Sequence, residues 1–204
     1  MTQADGQQAG PGSTLGPIYA NLVDILFAVV LTQGFVFLSS DNGLFSWLGA
    51  GDITSLVNTF SIYVIVIGSW IRYHAVVQKL GREGDVRFVI DIVLMLCYYL
   101  GFVLVSRSIP ISVLFVLIFF LYTIWAMLRV KEKPGDKIER WTLGVKINLL
   151  FAVLAGAVLA TNFIPPYSGD WDSKIRVPLL LGILAISYNT IWFRKARKKS
   201  KLVG

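Results

Sequence analysis

The chain has 204 residues, 55% of them hydrophobic and 15% charged, with a mean hydropathy of +0.68 and a formal net charge of +7. That apolar content excludes an ordinary soluble domain, and the apolar runs leave no stretch for a separate folded domain outside a bilayer, so any activity resides in a membrane bundle. The basic surplus does not point to nucleic acid, because it falls in short loops and at the C-terminus, where a membrane surface accounts for it.

Residues 1–16, MTQADGQQAGPGSTLG, lack Lys, Arg and apolar periodicity and read as a flexible tail rather than a cleaved signal. The first apolar run, Ile18 to Leu38, is 21 residues long with one ionisable group, Asp24. As a helix it covers about 30 Å, the thickness of the hydrocarbon layer. SSDNGLFSWLGAGDITS then reads as an interfacial loop carrying Phe45 and Trp47. Further spans are expected over Leu56 to Val77, Val86 to Val105, the run from Pro110 to Val130, Trp141 to Phe163, and Val177 to Phe193. Pro110 closes the tight RSIP connection, and Pro165 and Pro166 end the fifth span. The fold class is therefore all-α: a polytopic membrane protein with a six-helix bundle over 17–194 and a basic tail over 195–204.

Charge sets the expected orientation. The segments after the second and fourth spans and the C-terminal tail, with their flanking helix ends, hold 16 of the 19 Lys and Arg; Arg107, Lys174 and Arg176 are the others. The positive-inside rule makes those segments cytoplasmic, together with both termini, and leaves Asp41, Asp52, Asp170 and Asp172 outside. The tail RKARKKSK then meets anionic lipid headgroups, each basic residue contributing about 1 kcal/mol.

With that orientation, helical rise gives depth: Asp24 lies about 9 Å from the inner end, Trp70 about 10 Å, His74 about 5 Å and Asp91 about 7 Å. Two acids, an indole and the single histidine thus share one level and form a candidate hydrogen-bonded network joining three helices. The alternative is that His74 and Arg72 snorkel to the interface. On the first helix, Ile25, Val29, Thr32 and Val36 fall on one stripe about 60° wide, with Asp24 about 140° from Val29. Around a symmetry axis such a stripe would make an apolar constriction with a ring of hydroxyls; in isolation it reads as packing or lipid-facing surface.

Enzymatic readings find no support. One histidine and one cysteine, Cys97, within an apolar run supply no ordinary metal-ligand set, no cofactor motif is present, and nothing around Asp24 and Asp91 supports a catalytic carboxylate dyad. Acid and imidazole groups at one depth are, however, the makings of a proton relay, so Asp24, His74 and Asp91 also fit a proton-linked transporter. No internal repeat relates the two three-helix halves.

The residues also resemble a family. D-x-x-F-A-x-x-x-T, here Asp24, Phe27, Ala28 and Thr32, is similar to the first-helix signature FSDGVFAIAITLL of the six-helix prokaryotic relatives of the endolysosomal potassium channel. WIRYH, Trp70 to His74, resembles that family's WINHH, Asp91 stands where LLWLNLLFL has its asparagine, and Pro110 follows the third span as in the family. The chain departs from the signature at Ile18, Leu22, Val23 and Ile25, as a divergent member would. The resemblance implies a homotetrameric, potassium-preferring cation channel of a prokaryotic plasma membrane. Its pore would be lined by the first helix of each subunit, narrowest at Val29 with hydroxyls at Thr32, and braced by Asp24, Trp70, His74 and Asp91. The departures from the signature also fit a non-conducting membrane scaffold or sensor.

Overall fold

The computed structural model describes residues 15–40, 43–50, 52–80, 85–107, 111–132, 138–161 and 170–200. Those residues form seven helices and no strand: α1 (Leu15–Ser39), α2 (Leu44–Ala50), α3 (Ile53–Leu80), α4 (Asp85–Ser106), α5 (Ser112–Glu132), α6 (Ile138–Ala160) and α7 (Asp170–Ser200). Six of them, all but α2, are long and apolar enough to cross a bilayer, so the chain is a multi-pass, all-helical membrane protein. Of the expected tails over 1–16 and 195–204, residues 1–14 and 201–204 lie outside the described residues, as do Asp41, Pro110, Pro165 and Pro166.

Three elements depart from the sequence expectation. The loop after the first span contains a helix, α2, which buries Trp47 and turns Phe45 and Leu48 outward. It is fixed at both ends by backbone bonds, Trp47 N–H to Gly43 O at 3.0 Å and Asp52 N–H to Trp47 O at 2.8 Å. Next, α3 begins at Ile53 because Asp52 caps it: the carboxylate accepts from Ser55 N–H at 3.0 Å and from Ser55 Oγ at 2.6 Å. Finally, α7 extends from Asp170, across an expected loop, through the basic tail to Ser200, with Pro178 inside it. Charges that end a membrane span do not end a helix, and that extra length lies beyond the span Ile175–Arg194.

Close crossings hold the bundle. α1 lies against α4 and α3, α5 pairs most extensively with α6, and α3 with α7. A Cβ on Gly34 of α1 would stand 2.6 Å from Tyr63 Oη and 2.7 Å from Phe102 Cζ, so this glycine lets α1 settle against both neighbours. Across α3 and α7, Asn189 lies over Gly68 and donates to Val64 O and Ala185 O, each at 3.0 Å. Small residues at crossings are what helices need in lipid, where association depends on contact rather than on expulsion of water. Several buried hydroxyls are satisfied by their own helix, as in Ser61 to Val57 O at 2.7 Å and Thr123 to Phe119 O at 2.9 Å.

Gly68→Ala drives a methyl into Asn189 Oδ1 and must push that side chain off its carbonyls. We expect a loss of about 1–3 kcal/mol, read as a lowered thermal midpoint in detergent. Gly49→Ala, with nothing within 4 Å of the added carbon, is the matched control and should leave the midpoint in place.

Candidate functional site

α1 presents two faces. Val23, Phe27, Val30 and Gly34, spaced by four, three and four residues, are buried against the bundle. Phe27 meets the rings of Tyr73 and Tyr98, at 6.3 and 6.2 Å between centroids, and Tyr19 stacks on Phe88 at 4.3 Å. On the opposite face all four residues of the sequence-derived stripe are exposed; Ile25, Val29 and Val36 each keep more than half their surface, and Thr32 lies among them. With 22% of its span buried, α1 is the most open of the six.

Three of the four proposed network residues meet at one end of the bundle. His74 Nε2 stands 2.7 Å from Asp24 Oδ1, and the Trp70 indole donates to the same oxygen at 3.3 Å. The His74 contact is ion-pair length without hydrogen-bond alignment. The Trp70 ring meets His74 edge-on at 4.9 Å. His74 and Asp24 retain 31% and 38% side-chain exposure, so the cluster sits on the bundle's flank rather than in its core. Asp91 is buried on α4, one helical turn from buried Arg87; the Arg87 guanidinium lies 5.8 Å from the Trp125 ring of α5, and Arg129 lies 5.2 Å from the same ring.

A larger polar cluster lies deeper. Arg72 does not snorkel: its terminal nitrogens are buried without a hydrogen-bond partner among the described residues, and its Cζ lies 4.8 Å from the Tyr122 ring and 4.4 Å from the Tyr188 ring. Those rings stack with centroids 5.7 Å apart. Tyr98 Oη donates to Ser69 Oγ at 2.9 Å and lies 2.5 Å from Tyr122 Oη. Tyr188 Oη donates to Asn148 Oδ1 at 2.7 Å, and Asn148 Nδ2 donates to Tyr122 O at 2.8 Å. Five helices, α3 to α7, thus contribute to one buried network. Its sequence signal was Arg72 within a span together with Tyr98, Tyr122, Tyr188 and Asn148, each a polar tip inside an apolar run.

Among the described residues no three His, Cys, Asp or Glu side chains converge. In comparisons with family models, curated proteins and solved structures, nothing matches the chain.

The two clusters differ in exposure and so in expected energy. Tyr188→Phe strands Asn148 Oδ1 in the core and should cost about 1–3 kcal/mol. Asp24→Asn acts on a pair open to its surroundings and should cost less than about 1 kcal/mol. Thermal unfolding of the two variants in one detergent checks the order, and a greater loss from Asp24→Asn would reverse it.

Proposed function

We propose that the protein is a potassium-preferring cation channel: a homotetramer in a prokaryotic plasma membrane, with both termini cytoplasmic and the first helix of each copy lining the pore. The observation that carries this reading is the outward face of α1, where Ile25, Val29 and Val36 are exposed with the polar Thr32 among them. Gln33, next to Thr32, is half-buried, and no hydrogen bond of the described residues uses its amide. Moving an amide from water to hydrocarbon without a partner costs about 4–8 kcal/mol, so lipid is a poor neighbour for this level of the helix. A water-filled axis shared by several copies removes the conflict.

The charge inside one protomer supports the same placement. Among the described residues, Arg72, Arg87 and Arg129 carry buried guanidinium groups inside the bundle, and Asp91 is the buried carboxylate. A cation crossing that interior would have to pass these guanidinium groups in low dielectric. A route along the outside of α1 avoids them. There, branched side chains at Val29 would form the constriction, flanked by Ile25 and Val36, and Thr32 hydroxyls would face a partly dehydrated ion. Asp24, Trp70 and His74 brace the helix from the side, with Asp91 behind them on α4. The basic end of α7, from Arg194, would rest on anionic headgroups.

A second reading is favoured by one observation, the 2.7 Å contact of Asp24 with His74: a proton-linked transporter using these groups and Asp91. Liposomes separate the two. At symmetric pH, a potassium gradient with a protonophore should drive flux well above protein-free vesicles, and Val29→Ala should lower the preference for potassium over sodium several-fold. A silent Val29→Ala, with pH-coupled uptake abolished by Asp24→Asn, would favour the transporter. Folded, oligomeric protein with no flux would leave a non-conducting scaffold.

A further inference from the structure

Gln33 has a place in the proposed pore that the apolar stripe does not explain. At 100° per residue it lies about 70° to one side of the stripe's centre, while Ala28 lies about 70° to the other and Thr32 about 30° toward Ala28. In a ring of parallel copies with the stripe at the axis, the Gln33 flank of one α1 therefore faces the Ala28 and Thr32 flank of the next. The heights agree: Gln33 and Thr32 differ by one residue's rise, about 1.5 Å, and a helical side chain leans toward the N-terminus, from Gln33 toward the neighbour's Thr32. Both Ala28 and Thr32 are exposed on the protomer, and the small Ala28 leaves space for a long amide. Neither the Thr32 hydroxyl nor the Gln33 amide enters a hydrogen bond among the described residues.

We propose that Gln33 is the polar seam between copies of this chain, its amide hydrogen-bonded to Thr32 of the adjacent copy around the ring. The inference rests on the reading of α1 as the axial helix. A primary amide carries both donors and an acceptor, and a threonine hydroxyl carries one donor and two lone pairs, so the pair is complementary in either sense. The contact is heterologous, each copy offering its Gln33 to one neighbour and its Thr32 to the other, and it closes only in a cyclic assembly. It fixes the rotation of every α1 about its own axis, and with it which branched side chain meets the ion. Thr32 then has two tasks, facing the ion path and accepting the seam.

Disulfide trapping in nanodiscs tests this. Cys97 is the chain's one cysteine and is buried, so Cys97→Ala gives a background free of thiols. The double variant Thr32→Cys with Gln33→Cys should oxidise to a ladder reaching the full oligomer, since each copy carries both halves of the seam. Val153→Cys, on an exposed face of α6, should stay monomeric on denaturing gels. Independently, Gln33→Leu should lower the oligomeric fraction several-fold at fixed dilution without changing helical content, and Gln33→Asn should recover part of it. If the parent protein is oligomeric and conducts while the double variant gives no ladder and Gln33→Leu leaves assembly unchanged, the seam is wrong and the channel reading stands. If the parent protein is monomeric in native-lipid nanodiscs, both are wrong.

Discussion

A guanidinium buried in a membrane bundle cannot shed its charge, because arginine stays protonated under any condition a protein meets. Arg72 is in this position, and the helices around it are arranged accordingly. Its charge lies against the π faces of Tyr122 and Tyr188, the aromatic arrangement that stabilises a desolvated cation by about 2 kcal/mol. The tyrosines have polar tips of their own, and these are tied off in turn: Tyr98 to Ser69 and Tyr122, Tyr188 to Asn148, Asn148 back to the α5 backbone. Each partner sits on a different helix, so satisfying one cation fixes the mutual rotation of α3 to α7. Asn189, seated in the notch at Gly68, holds α3 and α7 at the distance that this network requires.

α1 stands outside that network, and magnitudes decide what holds it. The sequence expectation casts Asp24 as the anchor of the first helix. A half-exposed ion pair of this kind contributes about 0–1 kcal/mol. Phe27, 2% exposed between Tyr73 and Tyr98, belongs to the interlocking packing that stabilises helices in lipid, and Gly34 admits Tyr63 and Phe102 at distances no larger side chain allows. Packing therefore fixes the rotation of α1, and Asp24 makes that rotation polar-compatible by supplying an acceptor to Trp70 and a charge partner to His74. Replacing Phe27 is a graver change than replacing the acid, although the acid is what catches the eye in the sequence.

Much of this was legible beforehand, and the missing parts share a cause. Six spans follow from length and apolarity alone, since only a helix can carry its backbone through hydrocarbon. Depth, counted at 1.5 Å per residue, brought Asp24, Trp70 and His74 to one level, and two contacts join them there. Depth gives no azimuth, however. Asp91 is buried on α4 one helical turn from Arg87, and Arg72, two residues from His74, turns inward while His74 stays at the flank. The helical α2 and the long α7 were hidden for a different reason. Turn-forming and charged residues mark where a membrane span stops, and they mark where a helix stops only when no cap or neighbouring contact continues it.

The division between an arginine-bearing interior and an open α1 bears on how a channel of the proposed design could tolerate its own arginines. In a protomer whose core carries Arg72, Arg87 and Arg129, an internal cation path would pass guanidinium groups at short range. Placing α1 between that core and the proposed axis sets a full helix diameter, about 10 Å, between the guanidinium groups and the ion. With water in the proposed pore, screening over that distance leaves little of the repulsion, whereas the Thr32 hydroxyls act at contact range. In the proposed assembly the helix that is least buried in the monomer, α1, is the one nearest the ion, and the arginine-bearing core stands behind it.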